Sequence, residues 1–406
     1  MTSVPVARNV AAQPTDESSK RPPAPGGHVL IASDKFKGSL TAAEVGAAVG
    51  AGLRRVVPDL DVVVVPVADG GDGTLAAAFA AGYSRIPVAA AGPTGEPVDT
   101  CYARLGDVAV VELADVSGLS QLPGGRLAPL TAGSRGTGEV IAAALDAGCR
   151  RIVVGIGGSA GTDGGAGMAR ALGARLYAAD GAQIVDGGAA LAEIDRLDLT
   201  GMHPRLVGAE IVVACDVDNP LTGPKGAAAV YGPQKGAGPA DVEQLDAAVG
   251  HWADAVAAAT GADLRDSPGA GAAGGVGFAA LALLGATLRP GIDLILDLVD
   301  FHDQLVGATL VITGEGSLDE QTLHGKAPAG VSSAAVAAGI PVVAVCGRNL
   351  LSDGQLRASG IVAAYSLLEI EPDPARCMAD AGRLLERLAE TIAADQLAAS
   401  RRVGQR

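Results

Sequence analysis

The sequence predicts an α/β protein of two domains, one assembled from both ends of the chain around a parallel sheet and the other, of mixed strand pairing, inserted between them. Three observations carry this. The chain has 406 residues, enough for two cores of ordinary size. Hydrophobic residues make up 49% but aromatics only 2%, so the cores must be filled by Ala, Val, Leu and Ile, the composition of buried parallel strands flanked by helices. Strand-like and helix-like runs alternate near both ends, whereas the middle changes to short strands and turns.

Charge and cysteine usage narrow the partners. A formal net charge of −15 repels phosphate backbones and anionic headgroups, so neither nucleic acid nor a membrane surface is the expected partner. No run approaches the about 20 apolar residues of a bilayer span, and the first residues lack a signal-peptide apolar region. Cys101, Cys149, Cys215, Cys346 and Cys377 are widely spaced with no CxxC pair, which suggests neither a disulfide framework nor a zinc cluster. A reducing cytoplasm is the expected compartment. Nothing in the sequence sets an oligomeric state.

Residues 1–27 mix Pro, Ser, Thr and charge without apolar periodicity and read as a disordered tail. HVLIAS, from His28, reads as a strand, DKFKGS as a polar loop, and LTAAEVGAAVGAGLRRVV as a helix with Thr41 as N-cap and Glu44 completing a capping box. DVVVVPVA is a second buried strand, followed by DGGDGT and an alanine-rich helix. Strands that deliver polar loops to helix N-termini place ligands at their carboxyl ends.

From Tyr83 the pattern shortens, and Pro-Thr-Gly-Glu and Leu-Gly-Asp punctuate it as hairpin turns. GTGEVIAAALDAGC is a helix leading into RIVVGIGGSAGTDGGAGM (151–168), a strand joined to a helix by a loop nearly free of side chains. EIVVACDVDNPLTG is a strand and loop. The periodicity over 241–259 predicts a helix that buries Trp252 in a core or interface. After PGAGAAGGVGFAALALLGA, regular alternation resumes with ATLVITG, the loop GEGSLDEQTLHGK, IPVVAVCG, GIVAAYSLL and a final helix. The expected division is 28–82 with 287–406 for one domain and 83–286 for the other.

Glycine-rich loops let backbone amides approach a bound anion, but two chemistries compete for 151–168. Gly155, Gly157 and Ala160 satisfy the dinucleotide pattern, with Asp180 at a suitable distance for a ribose. Against it, Gly161, Gly164, Gly165 and Gly167 fall where that fold starts a helix, at about 1 kcal/mol each relative to alanine. Gly269, Gly271 and Gly274 repeat the pattern without a preceding strand. No GxxxxGK(S/T), HExxH or GxSxG occurs, and 216–227 lacks the glycine and terminal glutamate of a calcium loop.

What remains is a set of polar loops at strand ends: Asp34 to Lys37, Asp69 to Asp72, Ser159 to Asp163, Asp216 to Asn219, Gln234-Lys235 and Glu315 to Lys326. Singly, each has a structural use as a cap or turn. Jointly they supply what phosphoryl transfer requires: amides for phosphates, carboxylates for Mg²⁺ and for a hydroxyl proton, and lysines for moving charge.

DKFKGSL, ADGGDGT, GIGGSAGTDGGAGM, ACDVDNPLTGP, YGPQKGA, PGAGAAGG, LGATLRPGI and TGEGSLDEQTLHGKAP, in this order, resemble the bacterial glycerate kinase family of the first type. The resemblance runs from about His28 to the last helix. It implies a flavodoxin-like domain built from both chain ends, an inserted domain of restriction-enzyme-like fold, and ATP- and Mg²⁺-dependent phosphorylation of D-glycerate, mostly at the 2-hydroxyl. Lys35 stands where the family commonly has serine, and Gly161-Thr162 where it commonly has Thr-Asn.

On that resemblance Lys37 is expected at the glycerate carboxylate and Asp69 or Asp216 at the hydroxyl. Asp72 and Asp218 are expected on Mg²⁺, and Gly157, Gly158, Ser159 and Asp163 around the ATP phosphates. Lys235 and Lys326 would neutralise transferred charge, and Asp34, Glu315 and Asp319 complete the binding set. A hydroxy-acid dehydrogenase, a kinase forming 3-phosphoglycerate and a binding protein without turnover are the alternatives.

Overall fold

The computed structural model describes residues 27–323 and 325–397; all but the last residue of the expected tail, and His324 in the LHGK loop, lie outside them. Two sheets organise the chain. The first contains β1 (His28–Ser33), β2 (Val62–Val64), β11 (Ala308–Leu318), β12 (Val342–Asn349) and β13 (Ile361–Ser366). All its pairings are parallel, in the order β13-β12-β11-β1-β2. Counted in their own succession these five strands run 2-1-3-4-5, the flavodoxin-like arrangement, whose switch point lies between β1 and β11.

The second sheet is mixed. It contains β3 (Ser84–Ala91), β4 (Pro97–Leu105), β5 (Val108–Glu112), β6 (Arg151–Gly155), β9 (Glu210–Ala214) and β10 (Thr287–Arg289), in the order β10-β9-β6-β5-β4-β3. β3, β4 and β5 form antiparallel hairpins through the two turns marked in the sequence, and the remaining pairs are parallel. A small hairpin of β7 (Arg175–Tyr177) and β8 (Arg196–Asp198) lies apart. Because β10 pairs with β9, we place the chain's return to the first sheet after Arg289.

Period-two burial decides what each strand faces. In the first sheet Val29, Ile31, Leu310, Ile312, Val343 and Val345 point to one core, shared with Val45, Val49 and Leu53 of helix Ala42–Val56 and with Leu384, Leu385 and Leu388 of helix Ala381–Ile392. Leu30, Ala32, Val311, Val342 and Ala344 point to the other. The second sheet alternates likewise: Ile152 and Val154 face helices Arg135–Asp146 and Ala272–Leu284, while Val153 faces the opposite way.

Two helices lie between the sheets and serve both. In Thr74–Ala80, Ala77 joins the first sheet's core and Leu75 and Ala78 the second's. In Gly291–Leu298, Ile292, Ile295 and Leu296 face the first sheet and Leu294 the second. This shared layer brings the carboxyl ends of both parallel strand sets to one cleft.

Local signals are kept where they were strong. Thr41 caps its helix: its hydroxyl accepts from Glu44 N at 3.3 Å while the Glu44 carboxylate accepts from Thr41 N at 2.8 Å. Trp252, fully buried in helix Pro239–Thr260, donates its indole N–H to Gly164 O at 3.0 Å, which anchors the far end of the glycine loop. The five cysteines are free; Cys215 is half-buried, lines the cleft and donates to Val217 O at 3.2 Å.

Candidate active site

The cleft has two compartments. The smaller, of about 240 Å³, is bounded by Asp69, Gly157, Gly158, Ser159, Asp216, Lys235 and apolar groups including Ile156, Leu119 and Ala272. The larger, of about 610 Å³, is bounded by Asp34, Lys35, Lys37, Asp69, Asp72, Gly157, Gly158, Glu315, Asp319 and Lys326. Asp69 and the loop Gly157-Gly158 border both. The larger compartment sits over the switch point of the first sheet, flanked by the ends of β1 and β11, where open α/β sheets take their ligands.

The floor between the compartments is made by two glycine-rich loops in backbone contact. Residues 69–73 come from the first sheet and 155–158 from the second. A Cβ on Gly157 would lie 2.7 Å from Gly71 Cα, and one on Gly155 would lie 2.6 Å from Gly70 O. The 69–73 loop is further pinned by Thr74, whose hydroxyl donates to Gly71 O at 2.7 Å, and by Asp69, whose Oδ1 accepts from Gly71 N at 3.2 Å.

Acidic groups gather here at an electrostatic cost. Burial, reinforced by the Asp69 charge, raises the Asp34 carboxyl to about 7 against the opposing pull of Lys35. Asp216 is raised to about 6, first by the protein around it and then by Asp69 and Asp293, although Gly291 N donates to its Oδ1 at 2.8 Å and lowers it. By surface area Asp216 is exposed, its carboxyl packed on the protein side and open to the cleft. Glu315 is raised by burial; Thr322 Oγ1 donates to it at 2.5 Å, and Lys326 lies 3.4 Å away.

The Asp34 shift has a measurable consequence. A native carboxyl titrating near 7, against about 3.9 unfolded, makes the unfolded chain release its proton first, so stability falls as pH rises through that window. Asp34→Asn should therefore stabilise the fold at about pH 8, by on the order of 2 kcal/mol, and leave it unchanged below about pH 4. Urea unfolding at both pH values measures this; an equal gain at both would contradict it.

Lys235 is the buried cation of the site. It is 1% exposed; its Nζ donates to Ser159 Oγ at 2.8 Å and to Gly161 O. Burial lowers its pKa to about 7, and the Asp163 charge opposes that. Lys235 thus fastens the glycine loop from behind. Beside it Ala273 has φ 53°, a left-handed backbone on a residue with a Cβ, at the wall of the smaller compartment. Such strain persists only where surrounding structure enforces it.

Two expected residues fall elsewhere. Asp163 does not reach the cleft: it is 1% exposed and accepts from Ser134 N, Ser134 Oγ, Gly165 N and Gly167 N, capping the start of two helices with a carboxylate matched to four donors. Asp218 is exposed and borders neither compartment. Asp319 lines the larger compartment, but its Oδ1 accepts from Gln321 N at 2.9 Å as a turn cap. Thr162 is fully buried, and among the described residues its hydroxyl has no partner.

Sequence reasoning passed over Glu112, at the carboxyl end of β5. It is 7% exposed, and burial raises its carboxyl to about 7. Its oxygens accept from Gly73 N at 3.2 Å and Leu75 N at 2.9 Å. The available signal was a lone acid ending a buried apolar strand. The pairing of Lys35 with Asp72, Nζ to Oδ2 at 3.1 Å, also went unread.

The dinucleotide pattern loses its footing. After Gly155 no helix begins until Ala166, and Asp180 sits exposed in a turn, its Oδ1 accepting from Ala182 N.

A two-sheet α/β protein with glycine-loop amides, carboxylates and lysines converging on one cleft has the makings of a phosphotransferase acting on a small molecule. The profile of the glycerate kinase family matches residues 29–397. The chain is 46% identical over 369 residues to a glycerate kinase of Bacillus subtilis (strain 168), spanning 90% of this chain and 97% of the relative. It is 44% identical to the glycerate 2-kinase of Escherichia coli (strain K12), over 84% of this chain and 90% of that one. A solved structure from Salmonella typhimurium LT2, a candidate glycerate kinase 2, superposes with TM-score 0.81 at 42% identity, over 93% of this chain and all of that one. The protein belongs to the glycerate kinase family and is a kinase. Among the described residues no helix is long and apolar enough to cross a membrane.

Proposed function

We propose that the protein phosphorylates D-glycerate at its 2-hydroxyl, with ATP as donor, yielding 2-phosphoglycerate and ADP. One observation supports this above the others: Asp69 borders a lysine-bearing compartment and a glycine-floored one at once. A hydroxyl held in the first faces a phosphate held in the second across a single carboxylate.

In this reading Lys37 and Lys326 bind the glycerate carboxylate and steady the charge that moves with the phosphoryl group. Asp69, with Asp216 as the other candidate, orients the hydroxyl and accepts its proton. The amides of Gly157, Gly158 and Ser159 hold phosphate oxygens, with the apolar wall of the smaller compartment for the rest of the nucleotide. Lys235 acts through the loop it fastens.

Mg²⁺ is the expected companion of ATP. Among the described residues no three His, Cys, Asp or Glu form a cage for a metal, but Mg²⁺ commonly shares one or two carboxylates with substrate phosphates and keeps its waters. The hard oxygen donors Asp72 and Asp34 line the larger compartment, which Asp69 joins to the phosphate side, and fit that role for the phosphoryl group that reaches the hydroxyl. Bound there, the ion would neutralise charge on the phosphates.

The test is an assay coupling ADP release to D-glycerate, with the product's phosphorylated carbon assigned by phosphorus–proton NMR. The expected product is the 2-phosphate. A 3-phosphate would overturn the regiochemistry, and ADP release indifferent to glycerate would overturn the substrate.

A further inference from the structure

The loop 69–73 leaves the first sheet, yet the group that fixes its end belongs to the second. Glu112 closes β5 where Glu112 pairs with Gly155 of β6, and its side chain crosses to the start of helix Thr74–Ala80. One carboxylate oxygen takes Gly73 N at 3.2 Å, the other Leu75 N at 2.9 Å. These amides lie at a helix start, where backbone donors have no partner within the helix. A two-oxygen acceptor meeting two such donors fixes rotation as well as distance.

Elements on either side make this anchor decisive for the cleft. The loop carries Asp69 and Asp72, and its own internal bonds, from Thr74 to Gly71 O and from Gly71 N to Asp69, hold its shape but not its place. Its place comes from contacts with neighbouring elements: Lys35 on Asp72, Gly157 against Gly71, Gly155 and Gly291 against the backbone of 69–70, and Glu112 beneath Gly73. Of these, Glu112 alone uses a charged group buried in the second domain. Its charged neighbours, Asp72 and Asp115, repel rather than hold it, so the two amides are what keep it in position.

We propose that Glu112 is a positioning residue for phosphoryl transfer: without touching substrate, it sets the 69–73 loop, and with it Asp69 and Asp72, against the glycine loop of the second sheet. This rests on the reading of Asp69 given above. Misplacing a reacting group by about 1 Å costs on the order of a hundredfold in rate, so a lost anchor acts on kcat. Lys37 and Lys326 ride on other elements, and glycerate binding is left nearly intact.

The experiment compares the parent enzyme with Glu112→Gln, which keeps volume but offers one acceptor oxygen in place of two. The expected result is a fall in kcat of about tenfold to a hundredfold, KM for glycerate within about twofold, and faster hydrogen exchange at the Gly73 and Leu75 amides in the ligand-free protein. Unchanged kcat, or unchanged exchange at both amides, overturns the inference. Glu112→Asp, which keeps the charge but shortens the reach, is the second variant should Gln impair folding; it should show the same kcat-specific loss, and activity equal to the parent's overturns the inference too. If the parent itself ignores glycerate, the functional reading has failed instead, and the exchange measurement still decides whether Glu112 anchors the loop.

Discussion

Gly157→Ala should lower kcat by about a hundredfold while the protein stays folded. The added Cβ would meet Gly71 Cα at 2.7 Å, nearer than real Cβ atoms approach, and the obstacle is backbone rather than a side chain that can swing aside. The two loops must part. Both the amides of 157–159 and Asp69 then leave the positions they hold toward the cleft, so binding and alignment suffer together. Gly382→Ala serves as control: nothing lies within 4 Å of its Cβ position in helix Ala381–Ile392, and it should gain up to about 1 kcal/mol of stability with full activity. Steady-state rates and thermal unfolding of both variants suffice. An active Gly157→Ala enzyme would mean that the loop contact has no catalytic weight.

Asp69→Asn should cost about a hundredfold to a thousandfold in kcat, with KM for glycerate changed little. The amide oxygen can still accept from Gly71 N, as Oδ1 does at 3.2 Å, so the loop keeps its internal bond while the charge disappears. The loss then reports the carboxylate's part in receiving the hydroxyl proton. Removing its charge also relieves Asp34, which Asp69 helps to raise, so the Asp34 titration should move down in the same variant. If instead Asp216→Asn shows the larger kcat effect, the proton acceptor is Asp216 and the orientation of substrate across the cleft reverses.

The sequence made the architecture legible because its signals were local and redundant. Alternating apolar runs marked β1, β11 and β12, and the Thr41 capping box marked its helix to the residue. The short β10 was not legible: three residues reading TLR carry no periodicity, and only pairing with β9 assigns them. The site divides along the same line. Asp34, Lys37, Asp69, Asp72, Glu315 and Lys326 announced themselves in polar loops at strand ends and do line the larger compartment. Asp163 sits in the same kind of loop but turns inward, because four unpaired donors at two helix starts outcompete the cleft for its carboxylate. Lys235, expected among the cations that neutralise transferred charge, is buried and bonded to Ser159, which the sequence does not signal. Glu112 was invisible for the opposite reason, since its meaning lies in a partner loop nearly forty positions earlier in the chain.

The register His28↔Ala308 between β1 and β11 carries a consequence for how the molecule is made. β1 cannot gain its central neighbour until some 280 residues later, whereas every strand of the mixed sheet is already available by Arg289. Chain segments fold as they emerge during synthesis, so the strands of the mixed sheet can pair before β1 meets β11, and the parallel sheet completes after them. In the interval β1 and β2 wait as an unfinished pair with an open apolar edge, the kind of template that associates wrongly when idle. A rearranged gene that begins at the mixed sheet and ends with β1 and β2 after β13 would shorten that wait.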